Sequence, residues 1–323
     1  MNFYPIPPVL QAEILVQITA PLRCTGQPTD WRSGSALPAS DIFLEGPVYS
    51  SDGHLYVTDI PYGRILKIDT QNHITECVKY DGEPNGLVIR EDGCIVVADY
   101  KQNHLTANSG IDGFQGLLVF DPSTGGISPL LARRNLERFK GPNDLVVSSK
   151  NEIYFTDQGQ TGMSDPTGRV YRLCPDGRLD CLVDNGVSPN GIALSPDERF
   201  LYVAMTRSNS VWRLPLNSDG STTKAGLFFQ SFGASGPDGL TVDEEGNLFI
   251  CHPSLASVFV VDADGIPKAR IATSSEGGKN LTNCTFGGED GRTLFITDSM
   301  KGNIQFVRWH CGGSVKPKAV KTR

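Results

Sequence analysis

Short apolar runs, each broken by a polar turn, recur six times along the chain at one phase. Every copy opens on an acid or an amide, continues into an apolar run, turns, and enters a second apolar run. The openings are Glu45-Gly-Pro-Val-Tyr49, Asn85-Gly-Leu-Val-Ile89, Asn143-Asp-Leu-Val-Val147, Asn190-Gly-Ile-Ala-Leu194, Asp238-Gly-Leu-Thr-Val242 and Asn283-Cys-Thr-Phe286. Turns such as Ser51-Asp52-Gly53, Glu91-Asp92-Gly93 and Ser195-Pro196-Asp197 use residues that tolerate or fix the backbone angles of hairpins. The second runs, among them Ile153-Tyr154-Phe155 and Leu248-Phe249-Ile250, are rich in the β-branched and aromatic residues that half-buried strands favour. A third run, as in Arg64–Ile68 or Ser257–Val261, closes most copies. No stretch carries a long 3.6-residue apolar period with caps, so few helices are expected.

Successive openings lie 40, 58, 47, 48 and 45 residues apart, the span of one propeller blade. The expected fold is therefore an all-β six-bladed β-propeller, a single domain over residues 41–312. Radial repetition leaves only short, protected strand edges. A sandwich with coincidental self-similarity is the competing reading, and six in-phase copies weigh against it. Residues 1–40 are expected to form an N-terminal arm packing on the propeller. Within it, Ala12–Ile18 is either a strand that completes the last blade or simply a packed segment. Residues 313–323 are expected to be a flexible C-terminal tail. An insertion at residues 101–116 accounts for the longest spacing and is expected to cover the active mouth.

Lysine and arginine number 29 against 36 acids, a net charge of −7. With no basic stripe, nucleic acid is excluded as a partner. No apolar run approaches membrane-spanning length, and the N-terminus lacks the basic and apolar regions of a secretory signal. A cytoplasmic protein without a membrane partner is expected. The eight cysteines are scattered without a Cys-x-x-Cys pair, which suits apolar filling of a core rather than a zinc site or a disulfide framework.

If each opening stands at the mouth of an innermost strand, Glu45, Asn85, Asn143, Asn190, Asp238 and Asn283 gather around one axis. Two carboxylates and four amides then face each other, offering oxygens without thiol or imidazole. Such a donor set suits a hard cation, Ca²⁺ first and Mg²⁺ or Mn²⁺ next. Asn-Gly and Asp-Gly are also ordinary turn pairs. Here, however, they precede a strand at a fixed phase, and Pro84, Pro142, Pro189 and Pro237 stand directly before four of them, restricting the backbone on both sides. The residues closing the second strands, Asp59, Asp99, Asp157, Met205, His252 and Asp298, reach the same mouth. For the aspartates a blade-locking hydrogen-bond acceptor is the favoured reading. His252 is the one histidine in such a place and is taken as a substrate-binding candidate.

Over about residues 40–308 the chain resembles the SMP-30/gluconolactonase/luciferin-regenerating-enzyme family. The carrying motifs are Leu44-Glu45-Gly46-Pro47-Val48-Tyr49, Gly141-Pro142-Asn143-Asp144, Tyr154-Phe155-Thr156-Asp157, Ser188-Pro189-Asn190-Gly191-Ile192 and Gly236-Pro237-Asp238-Gly239. The resemblance implies one divalent metal in the channel, Ca²⁺ first, with Mg²⁺, Mn²⁺ and Zn²⁺ as alternatives. It makes Glu45, Asn190 and Asp238 metal ligands and gives Asn143 to metal or substrate. Tyr49 stands where many relatives have Trp, and Gln158 follows Asp157 where sugar-lactonase relatives often have Pro, so Gln158 joins Asn143 and His252 as a substrate-binding candidate. The implied activity is metal-dependent opening of a small lactone, with Asp238 as general base or water-orienting carboxylate. A related esterase or phosphotriesterase, and a non-catalytic ligand-binding propeller, are the alternatives.

Overall fold

The structure is a computed structural model that describes residues 6–31, 40–101 and 115–322. Six sheets make up its body, five of four antiparallel strands and one of five strands. Their innermost strands, Leu44–Tyr49, Pro84–Ile89, Pro142–Val147, Pro189–Leu194, Leu240–Val242 and Leu281–Gly287, contact one another in a closed ring. The six-bladed propeller expected from the repeat is the architecture found. Among the described residues the only helical pieces are short 3-10 turns, such as Ile60–Tyr62 and Pro253–Leu255. No described helix is long and apolar enough to cross a membrane.

The repeat marks three strands per blade, and the structure has four. The added outer strands, among them Ile74–Lys79, Gly126–Leu131 and Gly226–Gln230, are partly exposed and carry no regular apolar alternation. A blade's last strand needs only one covered face, so its sequence signal is weak. In the sixth blade the outer strand comes from the other end of the chain. Glu13–Gln17 pairs antiparallel with Asn303–Arg308, with Glu13 opposite Phe306. The run Ala12–Ile18 is thus largely the completing strand. Just before it, Val9–Gln11 adds a parallel strand to blade 5 beside Pro267–Ala272.

Residues 313–322 run across the end of the channel opposite the openings. Ser314 N–H donates to Val242 C=O at 2.9 Å, Lys318 C=O accepts from Ser51 N–H at 3.0 Å, and Lys321 N–H donates to Gly93 C=O at 3.1 Å. Val320 is buried against Tyr56 and Leu87. These contacts differ from the free tail expected of a short basic terminus, because one apolar side chain and regularly spaced backbone groups find partners on three blades. The insertion expected to cover the mouth falls almost wholly on residues 102–114, outside the described residues.

Candidate active site

Five of the six inner strands start with the same irregularity. The ladder to the second strand shifts register between Glu45 and Val48, Pro84 and Leu87, Pro142 and Leu145, Pro189 and Ile192, and Leu281 and Asn283. A bulge re-aims the side chains at and within it; Asn85, Asn143 and Asn190 sit inside it, and Glu45 and Asn283 sit at its edge. In blade 5 the regular strand begins only at Leu240, and Asp238 is held by its N–H to Cys251 C=O at 2.9 Å.

Glycine after the opening lets neighbouring blades close up. A Cβ on Gly46 would stand 2.0 Å from Asn85 C=O, and one on Gly191 would stand 2.2 Å from Asp238 C=O. The openings of consecutive blades therefore touch around the axis. Buried threonine hydroxyls stitch them further: Thr58 donates to Asn85 C=O at 2.9 Å, Thr156 to Asn190 C=O at 2.7 Å and Thr206 to Pro237 C=O at 2.7 Å. The aspartates ending second strands act as locks. Asp157 accepts from Lys140 and Gly141 N–H at 2.7 and 2.8 Å, Asp59 accepts from Phe43 N–H at 2.9 Å, and Asp99 from Glu83 N–H at 3.2 Å.

At the axis, Asn283 Nδ2 donates to Glu45 Oε2 at 3.1 Å and to Asp144 Oδ2 at 3.4 Å. Blades 3 and 6 face each other across the ring, so this pair of contacts bridges the channel. Glu45, Asn85, Asn143, Asp144, Asn190 and Asn283 are all buried, whereas Asp238 is half-buried. Asn143 Nδ2 donates to Gln158 Oε1 at 3.1 Å. The carbonyl oxygen of Asn85, Oδ1, is buried without a hydrogen-bond donor. Burial, the adjoining Cys284 thiol and then the charges of Asp238 and Glu45 push the Cys251 thiol well up.

Asp144 was not among the sequence candidates. It occupies the place that is Gly46, Gly86, Gly191 and Gly239 in four other blades, so the signal was a carboxylate standing where the repeat calls for glycine. Burial, and after it the charge of Glu45, pushes its carboxyl up to about 7, against hydrogen bonds from Leu145 N–H, Asn283 and Ile192 N–H.

His252 lies within blade 5, fully buried and edge-on to Phe259. Its Nδ1 is 3.5 Å from Ser254 Oγ, its Nε2 has no partner, and burial lowers its pKa, which favours the neutral ring. It lies against Phe259 of blade 5 and the loop at Gly233.

A second group, Asp243, His310 and Cys311, has ligand atoms within 4.8 Å of one another at the far end of blade 5. Asp243 Oδ1 already accepts from Glu245 and Asn247 N–H at 3.0 and 2.8 Å, and Oδ2 from Asn247 Nδ2 and Trp309 Nε1 at 2.7 and 2.8 Å. That carboxylate organises a turn and has no free lone pair to offer an ion.

The model of the SMP-30/gluconolactonase/LRE-like region matches residues 43–300, most of the chain. The chain belongs to this family. Members of the SMP-30/gluconolactonase/LRE-like group similar to it include the gluconolactonase of Zymomonas mobilis, 34% identical over 294 residues, covering 81% of this chain and 78% of that protein. Lactonase drp35 of Staphylococcus aureus is 30% identical over 240 residues, covering 71% of this chain and 69% of its own length. Regucalcin of Agrobacterium tumefaciens, described as a calcium-binding protein, shares the fold with a TM-score of 0.72 at 20% identity, covering 98% of this chain and 99% of its own.

Proposed function

We propose that this chain is a lactonase, opening small lactones by hydrolysis at the channel mouth with a divalent cation held by Glu45, Asn143, Asn190 and Asp238. The observation that carries the reading is the convergence of Glu45 and Asp144 on the single amide of Asn283 inside a ring of carboxamides. Two acids bridged by one neutral donor leave negative charge at the axis, and the unpartnered Asn85 Oδ1 adds an oxygen to it. Donors of that kind fit a hard divalent ion, Ca²⁺ before Mg²⁺, Mn²⁺ or Zn²⁺. The likeness to the gluconolactonase of Zymomonas mobilis supports a lactone as the ester attacked.

A bound divalent ion supplies Lewis acidity at the ester carbonyl and a lowered pKa for water. The chain's own groups do the rest. Asp238, half-buried and therefore in reach of solvent, orients the attacking water and takes its proton as the water oxygen bonds to the acyl carbon. The bond from that carbon to the ring oxygen breaks, and the proton passes to the ring oxygen, giving a hydroxy acid. Asn143 and Gln158 bind and orient the substrate. The bridge from Glu45 through Asn283 to Asp144 holds those two acids in place at the axis.

The test is ring opening followed by acid release on a sugar lactone, an aliphatic lactone and a phosphotriester, before and after chelation. Loss with chelator and return with Ca²⁺, on a lactone and not on the phosphotriester, is the expected result. Full activity in a metal-free preparation, or in both Glu45→Gln and Asp238→Asn, would remove the reading.

A further inference from the structure

We infer that Gln158 is a positioning residue that fixes which atom of the Asn143 amide faces the axis; the inference rests on the cation reading above. A carboxamide presents either an oxygen or an NH₂ group, and the two differ by a half-turn about one bond. Asn143 commits Nδ2 to Gln158 Oε1 at 3.1 Å. That leaves Oδ1 directed away from Gln158, and it accepts no hydrogen bond from the described residues. The half-turned amide would set its oxygen against Gln158 Oε1, two acceptors in contact. Asn283 is oriented the other way. Its Oδ1 takes Cys284 N–H at 2.8 Å and its Nδ2 faces the acids, so it gives the axis a donor. One residue type thus serves two opposite purposes in the ring, and the partner behind each amide decides which.

Gln158 is built to hold such a position. Its N–H donates to Gly141 C=O at 3.0 Å, and its C=O accepts from Thr161 Oγ1 at 2.7 Å. The same Thr161 oxygen accepts from Ser188 N–H at 3.1 Å, in the segment that leads into Asn190. The backbone that carries the Gln158 side chain is therefore braced against the entries to both Asn143 and Asn190. A partner behind a metal ligand commonly governs 10–100-fold in affinity.

The experiment compares Gln158→Leu, which removes the acceptor at similar size, with Gln158→Glu, which keeps one. Ca²⁺ binding to the full-length chain is read by titration calorimetry, with the cation-free unfolding temperature as a control on folding. Gln158→Leu is expected to weaken Ca²⁺ binding by about tenfold or more, with the unfolding temperature of the cation-free protein unchanged. Gln158→Glu is expected to bind at least as tightly as the parent. Equal affinity of parent and Gln158→Leu overturns the inference alone, as does an equal loss in both variants. A parent chain that hydrolyses lactone and binds no Ca²⁺ overturns the cation reading and the inference with it.

Discussion

Asn283 Nδ2 links two carboxylates that come from different blades, Glu45 of blade 1 and Asp144 of blade 3. Two acids confined together repel, and one is driven to take up a proton; the rise of Asp144 to about 7 is that effect added to burial. Replacing Asn283 by Leu keeps the volume and removes the donor. The variant is expected to lose about 1–3 kcal/mol without cation, the cost of stranding buried acceptors. Ca²⁺ then recovers part of the loss, since a cation neutralises the same charge. Unfolding temperatures with and without Ca²⁺ measure this, and a loss of the same size in both conditions would contradict it. At this scale the start of each inner strand is legible in the sequence, because phase alone marks it. Partners fixed by three-dimensional approach are not. Asp144 aims across the channel to a residue 139 positions away, and no local pattern encodes that.

Elements are held in register by the aspartates that close the second strands. Their assignment as locks was legible, since an acid after a strand at a turn accepts backbone N–H groups. The fourth strands were not, because a half-exposed edge has little apolar periodicity to read. Asp157 makes the lock of blade 3 titratable. Burial first, opposed by the N–H groups of Gly141 and Lys140, pushes its carboxyl up to about 6 from an ordinary value of 3.8. A raised value means that the folded chain holds this proton more tightly than the unfolded chain does. The group's contribution is therefore complete below 3.8 and is lost as pH climbs through about 6. Asp157→Asn keeps an acceptor for the lock and does not titrate. Stability measured by denaturant unfolding should shift in favour of the variant, relative to the parent, as pH rises from 4 to 7, by up to a few kcal/mol. A difference that stays constant over that range would show that the carboxyl titrates normally.

The whole molecule is a ring with one seam, and the candidate site straddles it. Glu45 belongs to blade 1 and Asn283 to blade 6, so their hydrogen bond at 3.1 Å spans the junction where the repeat begins and ends. The N-terminal segment fastens this junction twice over. Glu13–Gln17 supplies the outer strand of blade 6, and Ile18, with Leu15 and Val16, packs into a core shared with Leu44 and Leu55 of blade 1 and Phe295 and Ile304 of blade 6. Removing residues 1–18 strips the edge of Asn303–Arg308 of its partner and opens that core. Each lost ladder bond is worth about 1 kcal/mol, and a buried Ile side chain about 1.5–3 kcal/mol. The shortened chain is therefore expected to unfold at a lower temperature and to associate through the bared edge. Because Glu45 and Asn283 sit on opposite sides of the loosened junction, Ca²⁺ affinity should fall as well, although the described part of the deleted segment pairs with outer strands rather than with the inner ones. Scanning calorimetry, light scattering and Ca²⁺ titration of the same preparation separate the two effects. If affinity held while the unfolding temperature dropped, blades 1 and 6 would be docked by the axial contacts themselves, and the N-terminal strand would serve only to cover an edge.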